Sequence, residues 1–170
     1  MFNSIPGGGF LRPTAGFNTN FLACHFNRNG KIIKRYGKIN KPVTNYDVQN
    51  FQESYINNEI PLMDRYYVIP LADKNKNIYL IYQFPPKIEK YNTSEKLIST
   101  KHLNLDDEIK KILLIARNKN LDYKKQNNKY NYYSYNLYKN ALIQNEKIYI
   151  QLSGNIDKIY VLDFELNLKE

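Results

Sequence analysis

The chain has no tryptophan, one cysteine, two methionines and two histidines in 170 residues. A lone Cys24 excludes an intrachain disulfide and any cysteine-based zinc cluster, so the fold must rest on packing. His25 and His102 have no second ligand at metal-binding spacing, so neither a metal nor a cofactor is expected. No window approaches the ~18–20 apolar residues needed to cross a bilayer. The longest aliphatic run is Ile112 to Ile115, so membrane insertion is not expected. The amino terminus, MFNSIPGGGFLRPTAGFNTN, has neither the charged and apolar regions of a secretory signal nor the arginine-rich pattern of a transit peptide. The expected location is therefore the compartment of synthesis, cytoplasm or organelle matrix. Gly-x-Ser-x-Gly, His-Glu-x-x-His and the kinase motifs are also absent. The triple glycine Gly7 to Gly9 follows no strand, opens no helix and ends in no Gly-Lys-Ser/Thr, which argues against a phosphate loop.

Positive charge and tyrosine are abundant. Lysine and arginine number 25 against 16 acids, a formal net charge of +9, and there are 16 tyrosines. Such a field attracts polyanions. Codon bias in an A/T-rich genome offers a second account, since Asn, Lys, Ile, Tyr and Phe are the residues such codons favour. At this length one domain can bury a core without covalent staples.

Local patterns predict an α+β class, an antiparallel sheet built from hairpins with two or three helices on one face. Residues 1–20, rich in Gly and Pro and without periodicity, read as an irregular N-terminal extension, and 21–170 as a single α+β domain. FLACHF and KIIKRY flank the turn Asn27-Arg28-Asn29-Gly30 and predict a first hairpin. Thr44 to Asp47 has capping-box spacing before Val48, Phe51 and Tyr55, a helix of about three turns. RYYVIPL and IYLIYQF predict a second hairpin, with Pro70 at a strand end or on an edge. Residues 93–101 read as weakly helical and 104–120 as a strong helix with a stripe of Ile109, Ile112, Leu113 and Ala116. Asp106, Asp107 and Glu108 suit its positive end and fan out around the axis, so dipole capping is favoured over metal ligation. KIYIQL and KIYVLDF predict a closing hairpin, with the inward face of its second strand open between Ile159/Val161 and Tyr160/Leu162/Phe164. No internal repeat is visible.

The stretch Leu121 to Asn140 interleaves Tyr123, Tyr130, Tyr132, Tyr133, Tyr135 and Tyr138 with lysines, a pattern that can neutralise phosphates and stack bases. It reads either as a continuation of the helix or as a loop, and packing of the tyrosines against the sheet is the plainer account of it. The leading expectation is a non-catalytic basic RNA-binding protein within a ribonucleoprotein such as an organellar or bacterial ribosome, with RNA and neighbouring proteins as partners. Arg12, Arg28, Lys31, Lys34, Arg35, Lys124, Lys125 and Lys129 would touch phosphate, and Tyr130 and Tyr133 would stack on unpaired bases. A metal-independent ribonuclease using His25, His102, Arg28 and Arg35 is a second expectation. A protein-binding inhibitor of phage or plasmid origin is a third.

Overall fold

A computed structural model describes residues 3–126, 133–153 and 158–169 of the chain. Their strands form three four-stranded antiparallel sheets, each with its strands side by side in chain order. The first holds β1 (Asn3–Ser4), β2 (Phe10–Pro13), β3 (Phe21–Phe26) and β4 (Ile32–Lys38). Short helices α1 (Asn45–Gln49), α2 (Phe51–Ile56) and α3 (Leu62–Arg65) follow. The second sheet holds β5 (Val68–Ala72), β6 (Ile78–Tyr82), β7 (Lys87–Tyr91) and β8 (Leu97–His102). After α4 (Asp106–Lys125) comes the third, β9 (Tyr138–Gln144), β10 (Lys147–Leu152), β11 (Ile159–Asp163) and β12 (Leu168–Lys169). The class is α+β. No helix among the described residues is long and apolar enough to cross a membrane.

The second sheet is the middle layer. VIPLA and IYLIY show no polar alternation because both faces of these strands are covered. On one side Ile69, Leu71, Tyr79, Ile81 and Ile88 pack with Ile148, Ile150, Leu152 and Leu162 of the third sheet. On the other, Val68, Ile78, Leu80, Tyr82 and Tyr91 pack with Leu11, Leu22, Ala23 and Tyr36 of the first. Each fully buried aliphatic side chain contributes about 1.5–3 kcal/mol, so these two layers of contact are the main stabilising feature. The sheets approach most closely at β5, which lies against β1, β2 and β3 on one side and β9 on the other.

The turn between the third and fourth strands has the same construction in every sheet. In the first, Asn27 Oδ1 accepts from the N–H groups of Asn29 and Lys31, and Gly30 N–H donates to the Asn27 carbonyl. In the second, Asn92 Oδ1 accepts from Ser94 and Lys96, and Glu95 N–H donates to the Asn92 carbonyl. Asp163 does the same with Glu165 and Asn167 in the third, and Leu166 N–H donates back to its carbonyl. The fourth residue of each turn, Gly30, Glu95 or Leu166, has φ between 65° and 76°. A side-chain carboxyl or amide that accepts from two turn N–H groups fixes the turn from within, and the left-handed position is filled by glycine, glutamate and leucine in the three cases. The three turns thus share their hydrogen bonding without sharing a stretch of sequence.

Further differences from the sequence reading have identifiable causes. The expected single sheet is three, because strand periodicity specifies hairpins and not which hairpins share a ladder. Residues 1–20 are not an irregular extension: they hold β1 and β2, and β2 pairs with β3 from Phe10↔Phe26 to Pro13↔Ala23. Strands of two and four residues are too short to show alternation. Residues 93–101 were expected to be helical, yet Leu97–His102 is β8, paired with β7. β7, with the sequence KIEKY, escaped notice because Glu89 and Lys90 are buried charges with partners on neighbouring groups. The capping box at Thr44 and Asp47 is present, but the helix breaks at Asn50 into α1 and α2. Pro70 lies within β5 on the edge of its sheet, where its missing N–H disturbs no ladder. Pairing of Ile148 with Leu162 and Ile150 with Tyr160 resolves the closing hairpin in favour of Tyr160, Leu162 and Phe164 facing inward.

Candidate functional site

Between the first and second sheets lies a cleft of about 750 Å³, walled by β3 and β4 on one side, β6 and β7 on the other, and closed at one end by α3. Strand register builds its floor: Tyr82 stands opposite Lys87, Leu80 opposite Glu89 and Ile78 opposite Tyr91, which puts all six side chains on the face toward the first sheet. Glu89 is buried there. Its carboxylate accepts from the Tyr82 hydroxyl at 2.5 Å, the Tyr91 hydroxyl at 2.6 Å and the Lys87 ammonium at 2.6 Å. Burial pushes the Glu89 carboxyl up, but these three donors outweigh it and hold the group below the ordinary glutamate value. Lys87 also sits 4.1 Å from the centre of the Tyr82 ring.

Burial and the adjacent carboxylate push the Tyr82 and Tyr91 phenols up, so both remain neutral donors. Tyr36 packs edge-on against Tyr91 with ring centres 5.7 Å apart, and burial, aided by Glu95, pushes it up to about 12. At the mouth stand the exposed cations Arg35, Lys38 and Arg65. The Arg35 guanidinium lies 5.9 Å from the centre of the Phe21 ring, and Arg65 Nε donates to the Ile60 carbonyl at 2.8 Å. Such a cleft offers flat apolar walls, donors at the rim, and a floor whose ionisable groups satisfy one another. That is chemistry for holding a molecule. A floor carboxylate held ionised by three donors is a poor general base.

No protein-family model matches the chain, and no curated protein matches it.

The residues singled out from sequence are distributed over several surfaces. Arg12 and Arg35 stand on either side of Cys24 across three strands of the first sheet. Cys24 is buried beneath them; burial raises its thiol pKa, and Arg35 and Arg12 only partly offset that. Arg28 and Lys31 occupy the exposed β3–β4 turn. Lys34 donates to the Thr93 carbonyl, joining first sheet to second. His25 lies beside the triple glycine, where burial and then Lys34 lower its pKa. An added Cβ on Gly8 would meet Arg28, so glycine there is what lets the guanidinium lie against the backbone. His102 ends β8 on the second sheet and is exposed. Lys124 pairs with Glu53 at 2.8 Å and Lys125 with Asp122 at 3.9 Å at the end of α4.

Of the tyrosine tract, Tyr123 lies on α4 and is half-buried. Tyr133 packs beside Phe51, Tyr55 and Ala116, Tyr135 packs on the main core, and Tyr138 is fully buried. Lys129, Tyr130 and Tyr132 lie outside the described residues. Among the described residues no group of three or more His, Cys, Asp or Glu is placed to hold a metal ion.

Two groups escaped the sequence reading. Asp64 on α3 is buried and accepts from the hydroxyls of Tyr55 and Ser134; burial raises it to about 6 against those hydrogen bonds. Asn120 is fully buried on α4, its amide donating to the Tyr133 carbonyl at 3.0 Å and accepting from the Tyr133 N–H at 2.9 Å. Neither spacing nor composition marks them, since both depend on partners from other elements.

Proposed function

We propose that the protein is a non-catalytic binding scaffold in which the three sheets are consecutive blades of a β-propeller-type array, with a ligand held between the first two. Radial repetition of four-stranded meanders is the hallmark of that architecture. The repeated third-to-fourth-strand turn and the convergence of the sheets on β5 support it. The observation that carries the binding reading is the cleft: aromatic walls from Phe21, Tyr36 and Tyr66, with Arg35, Lys38 and Arg65 at the mouth. This combination suits an organic anion with a flat or apolar body, its carboxylate or phosphate met by guanidinium. Titration of the protein with such anions, followed by tyrosine fluorescence, tests the reading. Saturable binding that weakens at least about tenfold in Arg35→Ala and Arg65→Ala supports it; binding indifferent to both changes refutes it.

RNA binding is the second reading, favoured by one observation. Arg12, Arg28, Lys31, Lys34 and Arg35 all belong to the first sheet and its β3–β4 turn. On that reading the partner is a single-stranded or structured RNA within a ribonucleoprotein, and affinity falls steeply with salt in a log–log plot. A filter-binding series across salt concentrations distinguishes it from the cleft ligand, whose affinity changes far less.

A further inference from the structure

The turn between β1 and β2 gathers positive charge from two sheets. Gly7, Gly8 and Gly9 have φ of 88°, 112° and 91°, values that glycine adopts readily and other residues rarely. The turn follows β1 and opens β2, so no helix end supplies its charge. Side chains do. A Cβ on Gly7 would lie 3.4 Å from Lys76 Nζ, and one on Gly8 would lie 2.5 Å from Arg28 Nε. A Cβ on Gly9 would lie 3.0 Å from His25 Nε2 and 2.3 Å from the Phe26 carbonyl oxygen. Bare glycine is therefore what admits three basic side chains, from β3, the β3–β4 turn and the β5–β6 turn, to one stretch of backbone.

Beside that stretch lies a pocket of about 490 Å³, lined by Gly7, Gly8, His25, Arg28 and Lys76, with Pro6 and Ile33 as its apolar wall. Among the described residues no carboxylate lines it. Asp73 of the β5–β6 turn accepts instead from Asn77 and from the Tyr79 hydroxyl, and Glu146 pairs with Lys74 of that turn. Neither Arg28 nor Lys76 forms an ion pair among the described residues. His25 Nε2 is buried there without a hydrogen bond of normal geometry. Burial and then Lys34 lower the His25 pKa, so at pH 7 the imidazole is neutral and the pocket carries two full charges, from Arg28 and Lys76. Two like charges brought to adjacent glycines repel, and an anion between them relieves the repulsion.

We propose that this pocket holds a phosphate monoester, its phosphoryl group between Arg28 and Lys76 and its organic body along Pro6 and Ile33. Charge and shape both favour that class. A phosphate monoester carries about −1.5 to −2 at neutral pH, which two cations balance. The guanidinium fork suits two of its oxygens and the ammonium, a point charge, a third. The internal phosphodiester of a nucleic acid carries a single charge and would leave one cation unbalanced. The pocket also lies within the roughly 300–1,000 Å³ of small-ligand sites, leaving room for the esterified group. It shares no residue with the cleft between the first and second sheets, and it rests on neither functional reading given above.

Isothermal titration calorimetry of the full chain with propyl phosphate, at constant ionic strength, tests it. One molecule binds per chain with a Kd of about 1 mM or below, and excess inorganic phosphate displaces it. Arg28→Ala and Lys76→Ala each weaken binding at least about tenfold, while Lys74→Ala, which removes the same charge from the same turn, weakens it less than about twofold. Arg28 and Lys76 are exposed on turns, so the variants stay folded, which far-ultraviolet circular dichroism checks. Absence of saturable binding up to roughly 20 mM overturns the proposal. Equal weakening by Lys74→Ala overturns it as well, since that is general attraction to a basic surface. Weakening by Arg35→Ala and Arg65→Ala but not by Arg28→Ala places the ester in the cleft and overturns this site while leaving the cleft standing. A single-stranded RNA without a terminal phosphate that displaces propyl phosphate, and depends equally on Arg28 and Lys76, makes the ligand an internal phosphodiester and overturns the monoester.

Discussion

The side-chain amide of Gln83 replaces a strand backbone against Tyr138. Its Oε1 accepts from the Tyr138 N–H at 2.8 Å and its Nε2 donates to the Tyr138 carbonyl at 3.2 Å, and both residues are buried. The pair joins the end of β6 to the start of β9, where no ladder connects the second and third sheets. Gln83→Leu keeps the volume and strands two buried backbone groups. A loss of about 2–4 kcal/mol in urea-induced unfolding is expected. A loss under ~0.5 kcal/mol would mean that the contact is dispensable.

Asp64 makes stability depend on pH in an unusual direction. Its native pKa is raised from 3.8 to about 6, so the native state binds the proton more tightly than the unfolded chain between those values. Stability from this group is full below the unfolded value and is lost as pH rises through the folded one, about 2–3 kcal/mol by pH 7. Asp64→Asn removes the dependence. Unfolding free energies of the two proteins at pH 4 and pH 7.5, compared as a difference, check the sign, since depressed carboxylates such as Asp163, Glu108 and Asp47 act oppositely in both.

Glu89 shows the opposite linkage. Its carboxyl is held below the ordinary value, so its contribution is present above the unfolded pKa and fades as pH falls through the folded one. Glu89→Gln leaves Lys87 without its counter-charge and sets an amide N–H₂ among donors. A destabilisation of about 2–3 kcal/mol at pH 7 is expected, shrinking in acid. Denaturation at pH 7 and pH 3.5 measures it.

Gly37 on β4 has φ of +67°, and a Cβ there would lie 2.8 Å from Leu80 Cδ1 and 3.0 Å from Leu22 Cβ. Gly37→Ala meets both a left-handed backbone and a closed contact between the first two sheets. The expected cost is about 1–3 kcal/mol in thermal or chemical unfolding. Gly30→Ala, also at positive φ but with open space around it, separates the backbone contribution from the packing one.

Cys24 is expected to resist modification. Burial both covers the thiol and raises its pKa, so reaction with a disulfide reagent in native buffer should be at least about tenfold slower than in urea. Equal rates would show that the face around Arg12 and Arg35 opens freely.

Several elements were legible in the amino-acid order because their causes lie within a few residues. Asn27 to Gly30 turns β3 into β4, Thr44 and Asp47 close a capping box, and the stripe through Ile112 and Ala116 sets the buried side of α4. The aliphatic runs of β5, β6 and β10 likewise announce themselves. The candidate site was far less visible. Arg35 was picked out for its charge, but Glu89, Tyr82 and Tyr91 passed unremarked, since a carboxylate flanked by lysines in KIEKY reads as a solvated surface. The tyrosine tract shows the converse: its density suggested a stacking surface, while Tyr133 and Tyr135 pack half-buried and Tyr138 is enclosed.

Taken alone, then, the order of residues determined hairpins, helix ends and net charge, properties that arise from neighbouring side chains and from counting. Folding decided the rest: that the described strands form three sheets, and that Glu89 spends its oxygens on three internal donors. The physical reason is that burial is collective. Whether a carboxylate is ionised or a phenol can stack depends on groups brought together from distant parts of the chain, and no local pattern encodes that company.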